Sequence, residues 1–389
     1  MTDSVVVHTD LSHSEEAGAF LGSEISKHFK GQSPDALITF ASPRHDYPQV
    51  LKAIKAACQA RIVVGCSSAG EFVSSVQGQG SACAVALRSS EMRFASGIGR
   101  RLRADRTAAA KDLVASFTGR SATHNFLFRS ALVFTDALAG HADELMEQLN
   151  LLTSGTYRFV GGGAGDDAQF KRTHVFHGTQ AVPDAVVALE ILSNKPLGIG
   201  VSHGWKPASA ALRVTEADGM RLISLNAVPA VEMFQEHADI LGQAFDPADP
   251  LPFFLHNVIG IDTGIGHKLR VPLAVNSDGS ISCAADIPTG ATVHIMSTSI
   301  ASASAAAVSA TQAAVEDLKG NDPAVALFFD CAATRLRLGL EFGSEMRAVD
   351  GVLGATRYAG CNTYGQIAHT EGQFSGFHNC TAVVCLIPE

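Results

Sequence analysis

The sequence predicts an α+β fold, with two domains of mixed β-sheets and packed helices built from repeated β-α-β-β units. Three observations predict it. A strand–helix–strand–loop–strand pattern occurs three times along the chain. Of the 389 residues, 46% are hydrophobic and 17% charged, the balance of a packed chain and not of a disordered one. The length also exceeds what one hydrophobic core usually serves. The division is placed near 195–225, giving domains over 1–210 and 211–389.

The repeat consists of three phrases in constant order. A short apolar strand comes first: "ALITF" (36–40), "ALVFTD" (131–136) and "ALFFD" (326–330). A strand running into a glycine-rich loop follows: "VVGCSSAG" (63–70), "FVGGGAGDD" (159–167) and "YAGCNTYG" (358–365). An alternating strand closes each copy: "CAVALR" (83–88), "AVVALEI" (185–191) and "AVVCLI" (382–387). Aligned on Ala36, Ala131 and Ala326, the copies keep similar spacings to Gly65, Gly161 and Gly360. A helix lies between the first two phrases, which predicts a parallel strand pair. The third strand follows a glycine-rich turn and is expected to return antiparallel.

The remaining elements fit around these units in chain order. "SVVVHT" (4–9) opens as a strand. "SHSEEAGAFLGSEISKHF" (12–29) reads as a helix, with Ser12 and Glu15 in capping-box spacing. "PQVLKAIKAACQ" (48–59) puts Val50, Leu51, Ile54, Ala57 and Cys58 on one helix face. "HADELMEQLNLL" (141–152) and "RLRLGLEFGSEM" (335–346) take the same place in the other copies. "FDPADPLP" (245–252) is a proline-rich loop, and "GSISCAADIPTGATVHIM" (279–296) reads as two strands about a Pro-Gly turn. "IASASAAAVSATQAAVEDLKG" (300–320) is an alanine-rich helix ended by Gly320, narrow enough to lie close against a sheet.

Charge and cysteine usage exclude some functions. The net charge is −9 and basic residues do not cluster beyond "GRRLR" (99–103), so no nucleic-acid surface is expected. No run of apolar residues is long enough for a membrane span. The amino terminus carries Asp3, Asp10, Glu15 and Glu16 where an export signal would be basic and then apolar. Most of the eight cysteines sit in apolar runs such as "ACAVAL", as small buried hydrophobes do. A reduced, cytoplasmic setting is expected.

Four motifs in order, "VVGCSSAGEF" (63–72), "GVSHGWKP" (200–207), "LRVPLAV" (269–275) and "AGCNTYGQIA…FHNCTAVVCL" (359–386), resemble the FIST proteins, a family of sensory modules. The resemblance spans nearly the whole chain. It implies that a small ligand is bound and that a separate partner, such as a sensor histidine kinase, is informed. Proteins of this size also resemble the NosP type, whose members sense nitric oxide through haem. That likeness implies a non-covalent haem b.

The glycine loops are the first candidate site. Their small polar residues could face a shared ligand, and their backbone N–H groups suit an anion. Cys66, Ser67, Ser68, Asp166, Cys361, Asn362 and Tyr364 are the residues so placed, and Arg270 of "LRVP" offers a fork for a carboxylate. The plainer reading makes each loop a tight turn left by duplication, and Arg270 a surface charge. For an iron, His256 in "PFFLHNVIGI" ranks first, then His203 in "SHGW" and His378 in "GFHNC". A lone histidine in such surroundings is ordinarily a hydrogen-bonded core residue.

Two enzymatic readings are weaker. "GAGDDA" (163–168) fits a dinucleotide fingerprint, but "QFKRTHVFHG" reads as strand where that motif needs a helix. Cys66 and Cys361 hold equivalent loop positions, yet no spacing fixes a histidine beside either. No metal motif occurs. A FIST module for an amino acid or another metabolite, without haem, remains the main alternative to the haem sensor.

Overall fold

In the computed structural model, each copy of the repeat forms one sheet with the same strand order. The structure describes residues 1–74, 76–78, 80–120, 125–369 and 375–389. The first unit runs strand Thr2–Thr9, helix Ser14–His28, strand Ala36–Ala41, helix Tyr47–Cys58, strand Ile62–Ser67, hairpin Glu71–Val73 with Val76–Gln77, and strand Ala82–Ser89. The second repeats this from Arg93–Arg100 to Ala185–Ser193. The third opens with Gly198–Ser202, resumes at helix Ile300–Asp317 and closes with Ala382–Pro388. The predicted parallel pairs are Ala36–Ala41 with Ile62–Ser67, Phe128–Thr135 with Arg158–Gly163, and Pro323–Cys331 with Tyr358–Thr363. The closing strands return antiparallel.

The hairpins are exchanged in a ring. The first unit's Glu71–Val73 pairs with Tyr358–Thr363 of the third. The second unit's Val175–His177 pairs with Ile62–Ser67 of the first. The third unit's Gln366–His369 pairs with Arg158–Gly163 of the second. Each sheet is therefore completed by the next unit.

The sheets turn one face toward a common axis and the other toward helices. Phe40, Phe134 and Phe329, one from each unit, meet edge to face on that axis, with ring centroids 5.6, 6.0 and 5.9 Å apart. Such pairs add stability beyond their buried area. Ile38, Val64, Leu132, Val160, Leu327 and Ala359 continue the shared core. Outside, helix Tyr47–Cys58 covers the first sheet with Val50, Leu51, Ile54 and Cys58, as its spacing predicts. Asp46 caps it by accepting the Gln49 N–H at 3.0 Å. The predicted Ser12–Glu15 capping box does not form. Helix Ser14–His28 starts two residues later, and Ser14 Oγ instead accepts the Asp46 N–H at 2.9 Å, tying the two helices together. The alanine-rich helix lies on strand Gly198–Ser202 through Ala303, Ala307, Ala310 and Ala314.

The pairing corrects the alignment of the repeat by one residue. Thr39, Val133 and Phe328 sit opposite Gly65, Gly161 and Gly360, so Phe40 matches Phe134 and Phe329, and Ala36 does not match Ala131. The three glycines are strand residues. A Cβ on Gly65 would lie 1.8 Å from the Thr39 carbonyl oxygen, on Gly161 2.0 Å from that of Val133, and on Gly360 2.3 Å from that of Phe328. Close approach of parallel strands explains this part of the motif.

Between strand Gly198–Ser202 and helix Ile300–Asp317 the third unit holds a nine-stranded antiparallel sheet, with Phe234, Phe253, Phe254 and Ile259 in a core of its own. A cut at 210/211 falls between two of its strands, Lys206–Pro207 and Leu212–Asp218. Ile281–Cys283 and Thr292–Ser297, the two strands read about the Pro-Gly turn, both form, and each pairs with other strands of the sheet.

Candidate functional site

The carboxyl ends of the three parallel pairs meet at one end of the axis. Gly165 and Asp167 of the second unit donate backbone N–H groups to Ser67 O and Ser68 O of the first, at 2.9 and 3.2 Å. Ala69 N–H donates to Asn362 O, and Asn362 N–H to Gly70 O, both at 2.8 Å. Gly163 N–H donates to Gly365 O at 2.8 Å and Tyr364 N–H to Gly163 O at 2.9 Å. The glycine loops thus converge as the repeat suggested. These six N–H groups, however, are engaged with one another and are not offered to an anion.

The polar residues singled out in the loops form the frame of this ring. Ser67 Oγ accepts the His174 N–H at 2.9 Å. Ser68 donates its hydroxyl to Glu71. Asp166 accepts the N–H groups of Phe170, Lys171 and Arg172 at 2.9, 2.7 and 2.8 Å, and the Tyr364 hydroxyl. The Tyr364 ring stacks on Phe170 at 4.6 Å. This collar holds Asp167, Ala168 and Phe170 at φ of 53°, 59° and 52°, left-handed values that side-chain-bearing residues adopt at a cost. Cys66 and Cys361 are fully buried in the axial core. Burial, and then the neighbouring Cys66, push the Cys361 thiol well up, the reverse of what a nucleophile requires.

Above the ring lies a cleft of about 710 Å³. Its charged wall comes from all three units: Arg44 from the first, Asp167 from the second and Arg335 from the third, with Gln77 beside them. The Arg335 guanidinium donates to Asn362 Oδ1 at 3.1 Å and to Gly78 O at 3.0 Å. Asp167 accepts from the Ser42 hydroxyl at 2.8 Å. The exposed Arg44 guanidinium has no hydrogen bond or ion pair among the described residues. Beneath the cleft, Glu71 is wholly buried, and burial pushes its carboxyl up to about 7 despite hydrogen bonds from Ser68 and Ser81. Sequence reasoning missed Arg44, Glu71 and Arg335. Glu71 lies in the motif "VVGCSSAGEF" and Arg335 opens the helical stretch 335–346, but no local pattern marks either arginine as a site residue.

The other candidates lie elsewhere. Arg270 is 2% exposed and not a surface charge. Its guanidinium donates to Asp143 Oδ2 at 2.7 Å, Asp286 O at 2.8 Å, Leu269 O at 2.9 Å and Phe377 O at 3.3 Å, so it ties the inserted sheet to the second unit and to the last hairpin. His203 uses both ring nitrogens, at 2.9 Å to His267 O and at 3.3 Å from the Trp205 N–H. His256 is exposed, because Phe253 and Phe254 take the inward face of its segment. His378 is buried beside Asp143.

These three histidines share no site. His203 borders a space of about 10 Å³, too small for a porphyrin, and the wide cleft is lined by arginines and an aspartate and by none of the three histidines. Among the described residues no group of three histidine, cysteine or acidic side chains could hold a metal ion, and no helix is long and apolar enough to cross a membrane. The residues present do not fit haem at the positions ranked for it.

Residues 35–228 match the FIST N domain and residues 230–369 the FIST C domain. The chain belongs to the FIST family. The resemblance read from the motifs therefore holds, and FIST domains support a small-ligand sensory role for this chain. No curated protein matches the FIST chain. Among solved structures it is similar to a cyanuric acid hydrolase from A. caulinodans, at 8% identity over 100% of both chains with a TM-score of 0.35. A likeness that slight carries no argument.

Proposed function

We propose that this FIST protein is a signal-input module whose ligand is a small carboxylate-bearing metabolite of the amino-acid class, bound in the cleft above the ring. One observation carries the reading: Arg44, Asp167 and Arg335, from three different units, flank a single cleft of about 710 Å³. A guanidinium suits a carboxylate, and Asp167 suits an ammonium group. A ligand that touches all three units favours the arrangement in which they are correctly spaced, which is a population shift. A separate signalling protein such as a histidine kinase then reads that shift, and by linkage its binding changes ligand affinity equally.

The test is calorimetric titration with a panel of amino acids and small mono- and dicarboxylates. One class is expected to bind. Arg335→Ala and Arg44→Ala are each expected to weaken it by about tenfold or more, the range of a hydrogen bond to a charged group. Binding unchanged in both variants would place the ligand elsewhere and end this reading.

A further inference from the structure

The cleft does not end at its charged wall. Helix Ala332–Leu338 carries Arg335 and places Ala332 and Leu336 one turn apart, on one face. Both residues line the cleft, and both also line a crevice of about 40 Å³ beside it. A second segment is shared in the same way: Asp167 and Ala168 lie at the cleft and Phe170 at the crevice. The two spaces are thus neighbours across two common walls.

The crevice has the opposite chemistry to the cleft. Phe170 of the second unit and Leu336 of the third face Leu251, Leu255, Val271 and Leu273 of the inserted segment. Among the described residues no charged side chain lines it. Phe170 and Leu336 stay 39% and 43% exposed although each borders this apolar space. A mouth of open apolar side chains beside fixed charges is the usual make-up of a small-molecule site. Phe170 is kept there at φ 52°, with its N–H bound by Asp166 and its ring stacked on Tyr364, a strained position of the kind found at ligand clamps.

We infer, resting on the carboxylate reading of the cleft, that cleft and crevice together take an α-amino acid with a short aliphatic side chain. Such a molecule carries a carboxylate, an ammonium group and a side chain on one carbon. Its site must therefore join a cation, an anion and an apolar pocket at close range. Arg44 and Arg335 supply the first, Asp167 the second and the crevice the third. A space of about 40 Å³ holds a few methyl or methylene groups and not an indole. A charged side chain would enter it without a counter-charge, at a high desolvation cost. The charged head meets the three units and the side chain meets the inserted segment, so the guest couples the ring to the inserted sheet.

The experiment is calorimetric titration of the full chain with alanine, 2-aminobutyrate, norvaline and leucine, and with aspartate, lysine and tryptophan. Affinity is expected to rise about fourfold with each methylene from alanine to norvaline, the effect of burying one such group, and to be kept in leucine. Aspartate, lysine and tryptophan are expected to bind at least about tenfold more weakly than norvaline. Leu255→Asp, which brings a charge to the crevice, is expected to reduce the advantage of norvaline over alanine to about twofold or less. Amino acids that bind through Arg335 with no preference among side chains, or with aspartate as tight as norvaline, would overturn the inference and leave the reading of the cleft standing. Binding by none of them would end both. The unsubstituted chain decides the matter, so a variant that fails to fold does not.

Discussion

The Arg335 guanidinium lies 3.1 Å from the side-chain oxygen of Asn362, in a socket that exists because residue 70 is glycine. A Cβ there would fall 1.3 Å from Arg335 Nη1, on a backbone at φ 139°. Gly70→Ala is therefore expected to expel Arg335 and abolish ligand binding. Strain and lost hydrogen bonds should also lower stability by about 1–3 kcal/mol. Denaturant unfolding beside a ligand titration checks both effects.

The axial phenylalanines should dominate stability. Phe134→Ala removes a wholly buried ring from a contact shared by three sheets. A loss of about 3–5 kcal/mol is expected from equilibrium unfolding. Phe134→Leu keeps most of the volume and should cost distinctly less.

Glu71 gives stability a defined pH dependence. Its carboxyl rises from 4.5 to about 7 on folding because it is buried, so the folded chain holds that proton more tightly than the unfolded one. The contribution is complete below about 4.5 and is lost as pH rises through about 7. The loss is roughly 3 kcal/mol. Glu345, pushed up to about 8 by burial, acts with the same sign but over a range reaching higher. Unfolding midpoints for Glu71→Gln between about pH 5 and 8 should be flatter than those of the parent, and parallel curves would contradict the assignment.

Asp143 holds two cations at once, Lys268 at 2.6 Å and Arg270 at 2.7 Å. Arg270 is almost wholly buried. Asp143→Ala would leave that charge unpaired, and about 3–5 kcal/mol of destabilisation is expected. Limited proteolysis should then find the inserted sheet cut first.

Hemin offers a direct comparison with the haem expectation. Added to the folded chain, it is expected to give no Soret band that depends on His203, His256 or His378. A band abolished by replacing any one of them with alanine would restore haem and the nitric-oxide reading with it.

The class of fold was legible because the evidence for it is local. Alternating strands, the face of helix Tyr47–Cys58 and the order of phrases all survive in the structure. Hairpin exchange was not legible, since Glu71–Val73 looks the same whether it pairs at home or in the third sheet. The alignment on Ala36 slipped by one for a related reason. Apolar strands such as "ALITF" and "ALVFT" carry no mark of register until a partner strand fixes it. Asp166, Asn362 and Tyr364, expected from the repeat to touch a ligand, are hydrogen-bonded within the ring beneath the cleft. Arg44 and Arg335 were missed because only the closed ring brings "SPRHD" and "ATRLRL" to the same cleft.

The ring of exchanged hairpins gives one polypeptide the geometry of a cyclic assembly. A solitary unit would present one unmatched hairpin and one unmatched edge, and three units in rotation satisfy each other's. A change in a true trimer appears at three places, whereas here one unit alone carries the inserted sheet, and the first and third supply the cleft's arginines while the second supplies its aspartate. An asymmetric guest is thereby within reach of a scaffold with three unlike corners.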